Sequence, residues 1–392
     1  MNRIGIFLGF PPEGGGVFQY SQSVVEALAS LPQTEFTIVV AHTQPAWREK
    51  LREYDNRFEL VPIQDSKIDA MIGLALRVGL PIRPWRLVAK YIHPFTRLLL
   101  KQTCDLWIFP AQDVWTYAIP TPAIGVIHDL MHRYESRFPE VSRFGLFYRR
   151  ERHYQRLCRY SEGVLVDSGV GKRQVKDSYA VAEECIHVLP FVAPNYILNA
   201  QVPEDFDRHY CLPEKFIFYP AQFWEHKNHI NLLRALYLIR QAVPNLHLVL
   251  SGSKKNAYAK VMLEIENLQL SDRVHVFGYV PDADIGIMYR RARALVMPTF
   301  FGPTNIPPLE AMAAGCPVAV SRIYGMPEQV ADAALLFDPE SVNEIAQVIH
   351  RLATDDELCQ RLTIAGKLRA AQWGQQQFNE RFRFILKSVM RT

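Results

Sequence analysis

Apolar residues recur along the chain in short runs that alternate with stretches of helical spacing. The first run, 3–10, reads as a strand with glycine breaks. Positions 19–31 follow with helical periodicity through Val24, Val25, Leu28 and Leu31. Further buried strands are predicted at 36–41 (FTIVVA), 58–62, 105–109 (DLWIF), 124–127 (IGVI), 164–166 (VLV) and 186–189 (IHVL). The stretch 199–210 is polar and suits a linker. The pattern then restarts. Strands at 216–219 (FIFY), 246–250 (LHLVL), 274–277, 294–297, 317–320 and 335–337 alternate with helices near 230–243, 258–268, 285–291, 309–314 and 341–354. A long final helix is expected at about 355–389, bending or breaking around Gly366 and Trp373-Gly374. Strands alternating with helices predict an α/β protein with two doubly wound parallel sheets. The domains are placed at 1–197 and 212–372.

Composition narrows the classes. A chain of 392 residues is long for one core, and its 49% hydrophobic and 21% charged residues suit a globular protein. A net charge of +4 is not the footprint of a dedicated nucleic-acid binder. Six scattered cysteines form no C-x-x-C pair and read as free thiols in a reducing cytoplasm. The first residues enter a strand pattern without the apolar core of a signal peptide, so a cytoplasmic location is expected. No apolar run approaches the roughly 18 residues of a membrane span.

Ligands of open parallel sheets bind at the carboxyl ends of strands, and several candidates sit there. Gly14-Gly15-Gly16 follows the first strand, where glycine lets a backbone approach an anion at a helix start. It is not a dinucleotide fingerprint: Val17, Phe18 and Gln19 follow, and the second strand ends Ala41-His42-Thr43 without an acid. His128-Asp129 leaves the strand IGVI. Lys227, in Phe223-Trp224-Glu225-His226-Lys227-Asn228, follows FIFY and suits a phosphate. Gly278-Tyr279 follows VHVF and could flank a flat ring. In FGPTNIPPLEAMAAGCPVAVS (301–321), Pro307 and Pro308 open a helix that Gly315 closes. Its start should offer unpaired N–H groups and a positive dipole end to a phosphate, with Lys227 assisting. Glu310 beside it would accept from neutral hydroxyls, such as those of a ribose. Together these describe a nucleoside diphosphate with a group attached.

In order and spacing these segments resemble retaining glycosyltransferases of the GT-B fold with a Glu-x7-Glu signature, the glycosyl transferases group 1 or family 4-like set. The resemblance covers nearly the whole chain, adding Asp332-Ala333-Ala334-Leu335-Leu336-Phe337-Asp338-Pro339 to the segments above. It implies two Rossmann-like domains facing a cleft, with the acceptor on the first and the donor on the second. The end of the final helix, about 373–392, would join the first domain. It implies transfer of a sugar from a nucleotide donor with retained configuration, without a metal or other cofactor. By position, Glu310 would hold the ribose, Lys227 the diphosphate and His128 the transferred sugar. Gly15 and Gly16 would approach the donor, and Gly278 and Tyr279 would flank the base. Two positions depart from the pattern. The first glutamate of the signature is Gly302, followed by Pro303-Thr304-Asn305, and the arginine expected five residues before Lys227 is Gln222. Thr304, Asn305 and Ile306 at the helix start are expected to take over sugar and phosphate contacts, a form shared by one branch of the family. The surroundings resemble those of polysaccharide mannosyltransferases, so GDP-mannose is the expected donor. A nucleotide-sugar-binding protein without transferase activity is the alternative, as is a UDP-, ADP- or dTDP-sugar.

The acceptor side carries a basic signal. Arg77, Arg83, Arg86, Lys90, Arg97 and Lys101 lie among apolar and aromatic residues, and no acid occurs between Asp69 and Asp105. Segment 77–101 reads either as a basic solvated face over an ordinary core or as a peripheral contact with an anionic membrane, the latter fitting a saccharide or lipid-linked acceptor. Nucleic acid is not expected as a partner.

Overall fold

A strand covered on both faces has no polar face to show, so it appears in sequence as an unbroken apolar run. Most of the thirteen β-strands are runs of this kind in the computed structural model, which describes residues 1–11, 15–54, 56–64, 66–194, 196–197, 203 and 206–390. They divide between two compact units, each with its own parallel sheet.

Unit 1 comprises Met1–Ser136, Val141–Phe191 and Gln375–Thr392. Its strands are β1 (Asn2–Leu8), β2 (Phe36–His42), β3 (Phe58–Pro62), β4 (Leu106–Phe109), β5 (Ala123–Ile127), β6 (Gly163–Val166) and β7 (Ile186–Val188), in the order β3-β2-β1-β4-β5-β6-β7. Ile4 of β1 is in register with Ile38 on one side and Leu106 on the other. The strand order reverses between β1 and β4, which opens a crevice above their carboxyl ends. Around the sheet lie α1 (Gly16–Ala29), α2 (Lys67–Val78), α3 (Ile82–Ile92) and α4 (Leu146–Tyr160).

Unit 2 comprises Arg137–Glu140 and Val192–Gly374. Strands β8 (Phe216–Pro220), β9 (His247–Ser251), β10 (Val274–Phe277), β11 (Ala294–Met297), β12 (Val318–Ser321) and β13 (Leu335–Phe337) run in the order β10-β9-β8-β11-β12-β13. Here the reversal lies between β8 and β11. Helix α5 (Ile306–Ala314) follows β11. The expected linker at 199–210 lies partly outside the described residues. Its end is packed: Phe206–His209 is a short helix, Phe206 is buried, and Asp207 pairs with Arg291 at 2.5 Å.

The final helix differs from expectation. Asp356–Ala371 is continuous through Gly366, and the break falls only at 372–374, before α6 (Gln375–Val389). Gly366 serves packing instead, because a Cβ there would stand 3.2 Å from Met312 Cγ of α5. Helix α6 belongs to unit 1. Phe378 lies 5.9 Å from the Tyr20 ring of α1, Gln375 Nε2 donates to the Ser23 carbonyl at 2.9 Å, and Glu35 pairs with Arg383 and Lys387.

The basic segment also divides. Leu76, Trp85 and Leu99 are buried in the core of unit 1, whereas Met71, Leu74, Val78, Leu87, Tyr91 and Ile92 face solvent. None of the described helices is long and apolar enough to cross a membrane.

Candidate functional site

In unit 2 the site grows from the two loops at the sheet's reversal. The loop after β8 carries Lys227, and the loop after β11 carries Asn305. Their side chains meet, with Lys227 Nζ 3.4 Å from Asn305 Oδ1. The Lys227 loop is pinned from four directions. Tyr219 Oη donates to the Lys227 carbonyl at 2.8 Å. Asn228, left-handed at φ 59°, donates through Nδ2 to the carbonyls of Pro298 and Pro339, both at 2.9 Å. Phe300 N–H donates to the His226 carbonyl at 2.8 Å. Glu140 accepts from the His226 backbone N–H at 3.1 Å, lies 2.6 Å from its Nδ1, and accepts from Asn256 at 3.0 Å. Burial works against the Glu140 charge, but these bonds prevail and hold its carboxyl at about 2.

Asn305 is the N-cap of α5 and is itself clamped. The Gln329 amide accepts from the Asn305 N–H at 3.0 Å and donates to its carbonyl at 2.6 Å. The Asn305 side chain occupies the space beside Gly302: a Cβ on Gly302 would lie 2.0 Å from Asn305 Nδ2. A side chain at 302 and this placement of Asn305 exclude one another. The helix start differs from expectation in its donors. Pro307 and Pro308 lie in the first turn of α5 and have no N–H, and the Asn305 N–H is spent on Gln329. The Ile306 N–H and the Thr304 hydroxyl also belong to this helix start, and the hydroxyl is buried without a partner among the described residues.

Glu310, one turn into α5, is 7% exposed. Tyr196 Oη donates to one carboxylate oxygen at 2.8 Å and Tyr289 Oη to the other at 2.7 Å. Burial raises the Glu310 pKa; the two tyrosines oppose the rise and Asp282 adds to it. A carboxylate has about four lone-pair positions, so two acceptor sites remain for hydroxyls. Asp282 and Tyr279 also bear on Tyr196. Tyr279 is 64% exposed, and its hydroxyl lies 3.2 Å from Asp282 Oδ1. Gly278, at the end of β10, accepts from the Gly252 N–H at 3.0 Å, and a Cβ there would meet nothing. Gln222 is turned to Trp224 Nε1 at 2.8 Å and has no bond to Lys227.

In unit 1 the ends of β4, β5 and β6 converge on His128. Its Nδ1 lies 3.1 Å from Asp167 Oδ1, and its Nε2 lies 3.2 Å from the Pro110 carbonyl. Phe191 stacks on the ring at 5.5 Å and Tyr20 meets it edge-on at 5.0 Å. Burial disfavours the imidazolium, yet Asp167 and the Pro110 carbonyl leave the pKa above its ordinary value. Each ring nitrogen thus faces an acceptor, Asp167 at Nδ1 and the Pro110 carbonyl at Nε2. Asp129 turns away: it accepts from the Met131 N–H at 2.8 Å and pairs with Arg150. Gly15 is the N-cap of α1 at φ 62°, a left-handed value that favours glycine, and Gly16 opens the helix. Gly14 lies outside the described residues.

The structure thus brings Lys227, Thr304, Asn305 and Ile306 together, and sets Glu310 among Tyr196, Tyr289, Asp282 and Tyr279. Sequence reasoning missed Glu140, Asp167, Tyr196, Tyr289 and Gln329. Asp167 had a signal, since it directly follows the strand run VLV. The others come from segments remote from the motifs they serve.

The sequence profile of the family described as Glycosyl transferases group 1 matches residues 205–369. The O-antigen chain mannosyltransferase B of Escherichia coli is 32% identical over 176 residues, 42% of this chain and 45% of that protein. The MMP alpha-(1->4)-mannosyltransferase of Mycolicibacterium hassiacum is 25% identical over 222 residues, 56% of this chain and 52% of that protein. The chain therefore spans about half the length of these curated relatives. Among solved structures, Anabaena HepE in complex with UDP and glucose superposes with a TM-score of 0.74 at 15% identity, over 99% of this chain and 100% of that one. Sucrose-phosphate synthase from Thermosynechococcus elongatus does so with 0.74 at 17% identity, over 99% and 98%. The fold is that of the GT-B glycosyltransferases: two Rossmann-like α/β domains with parallel sheets.

Proposed function

We propose that the protein is a retaining glycosyltransferase that moves a hexose, best mannose from GDP-mannose, onto a saccharide or lipid-linked acceptor in polysaccharide synthesis. The observation that carries this is the meeting of Lys227 and Asn305 at the strand reversal of unit 2, 3.4 Å apart. It lies within the stretch matching the group 1 family. A cation beside a helix start and a partnerless hydroxyl suit a diphosphate, and the buried Glu310 suits a ribose. The mannosyltransferases among the relatives support the choice of sugar.

In this mechanism the acceptor hydroxyl attacks the anomeric carbon from the face the leaving group departs. The bond from that carbon to the diphosphate oxygen breaks, and the hydroxyl proton passes to the departing phosphate. Lys227, Thr304 and the Ile306 N–H meet the charge that develops there, without a metal. In this reading unit 2 holds the donor and unit 1 the acceptor. The reaction takes place in the cytoplasm at the membrane face. There the exposed apolar residues of α2 and α3, beside Arg83 and Lys90, rest on anionic lipid.

Thermal shift against GDP, UDP, ADP and dTDP tests the donor, with GDP expected to give the largest shift. Lys227→Ala should abolish most of that shift without lowering the melting temperature of the unliganded protein. Transfer from GDP-mannose should survive EDTA. Donor binding without either transfer or hydrolysis, across a panel of nucleotide sugars, would favour the binding-protein reading, for which Gly302 and Gln222 speak. Sedimentation with anionic vesicles, weakening as salt rises, checks the membrane contact.

A further inference from the structure

Unit 1 contains a second concave feature, a recess of about 460 Å³. One wall is the first turn of α3, from Pro81 to Pro84, and the other is the last part of α4, with Arg152, Gln155, Arg156, Arg159 and Tyr160. It is far from His128. The recess uses the end of α4 that leads into β6, the amino edge of the sheet, whereas His128 and Asp167 leave the carboxyl edge.

Its chemistry is one-sided. Arg83, Arg152, Arg156 and Arg159 line it, and no acid does. Spacings of four and three residues bring the α4 arginines onto one helix face. Arg152 and Arg156 donate to the carbonyls of Val78 and Leu76, at the end of α2, so backbone dipoles and not carboxylates face them. Arg83 has no hydrogen-bond or ion-pair partner among the described residues. Burial depresses the Arg156 pKa, and its neighbour Arg152 pushes the same way. The start of α3 adds the positive end of an eleven-residue helix. Four like charges gathered without a counter-charge repel one another, and a bound anion reverses the sign of that interaction.

The two helices that reach the recess also turn apolar side chains to solvent, Leu74 and Val78 from α2 and Leu87 and Tyr91 from α3. We propose that the recess seats the phosphomonoester headgroup of an anionic membrane lipid, engaged as these apolar residues enter the headgroup layer. This site presupposes the membrane contact proposed for α2 and α3 and adds the headgroup chemistry to it. A phosphomonoester carries up to two charges and three terminal oxygens, enough to accept from several guanidinium groups at once. A phosphodiester headgroup has two such oxygens between ester arms and satisfies fewer.

The test compares sedimentation of the full chain with vesicles of phosphatidylcholine alone and of phosphatidylcholine with phosphatidic acid or phosphatidylserine, matched for surface charge. The native protein should prefer phosphatidic acid. Arg83→Ser/Arg159→Ser changes two exposed arginines and leaves those that hold α2. It should weaken binding to phosphatidic acid vesicles roughly thirtyfold and erase the preference. Lys90→Ser/Arg97→Ser removes the same charge outside the recess and should keep the preference while lowering affinity for both anionic lipids. Unchanged melting temperatures and nucleoside diphosphate shifts in both variants would confirm intact units. Equal effects of the two double substitutions would overturn the headgroup site while sparing the membrane contact. Absence of binding to every vesicle would overturn the membrane contact and the site with it, without touching donor binding. Relief of binding by millimolar inorganic phosphate as complete as by soluble phosphatidic acid would overturn the lipid as ligand and leave a free-phosphate site.

Discussion

Gly302 and Asn305 claim the same small volume beside Lys227. A Cβ at 302 would stand 2.0 Å from Asn305 Nδ2, so even Gly302→Ala has to displace the amide. Overpacking of this kind costs about 1–3 kcal/mol. The cost should appear in urea unfolding of Gly302→Ala and vanish when the same change is made on Asn305→Gly, a coupling that a double-mutant cycle reads directly. Additive effects would mean that the two positions do not compete. Glu310 offers a second test. Tyr289→Phe removes one of two hydroxyl donors from a buried carboxylate, a bond worth about 1.5–3 kcal/mol when charge-assisted. The loss should be largest above the raised Glu310 pKa and shrink as pH falls through it, because the neutral acid needs the donor less. Lys227 and His128 are legible as candidates in sequence because each follows an apolar strand run, and Glu310 because it lies in the first turns of a helix opened by two prolines. Tyr196, Gln329 and Glu140 were not, since their roles depend on contacts made across 114, 24 and 86 positions. The donor count of α5 was misjudged for a local reason: prolines that favour a helix start also remove the N–H groups that make it useful to an anion.

The strands were the most legible elements, since burial on both faces leaves runs such as AIGVI and FIFY without a polar break. The final helix was less so. Gly366 reads as a breaker in sequence, yet it lies in a helix interior where close packing against Met312 outweighs its propensity. The loop between β8 and its following helix depends on Glu140, whose carboxyl is held at about 2 against an ordinary 4.5. A depressed folded pKa gives stability that is present above the ordinary value and lost as pH falls toward the folded one. Glu140→Gln should therefore lower the melting temperature at pH 7, and the gap to the native protein should close between about pH 4.5 and pH 2. A gap independent of pH would assign Glu140 to packing alone.

Each unit has a sheet and a core of its own, so a ligand of one should leave the other's opening reactions unchanged. Hydrogen exchange with saturating nucleoside diphosphate is expected to slow at 222–228 and 302–310 and to stay constant along β1–β3. Slowing confined to unit 1 would misplace the donor. Unit 1 is assembled from both ends of the chain: Phe378, Phe382 and Leu386 of α6 are fully buried against elements made from the first residues. Phe378→Ala should cost about 3–5 kcal/mol in denaturant unfolding for that reason. The same arrangement sets an order of events on the ribosome. Residues 192–374 are translated after most of unit 1 and before α6, so the apolar seat beside Tyr20 stays open to water, and to chaperones, for the time taken to make some 180 residues. At about 5–20 residues per second that interval is on the order of ten to forty seconds. A nascent chain stalled before residue 375 should carry a finished unit 2 and an unfinished unit 1.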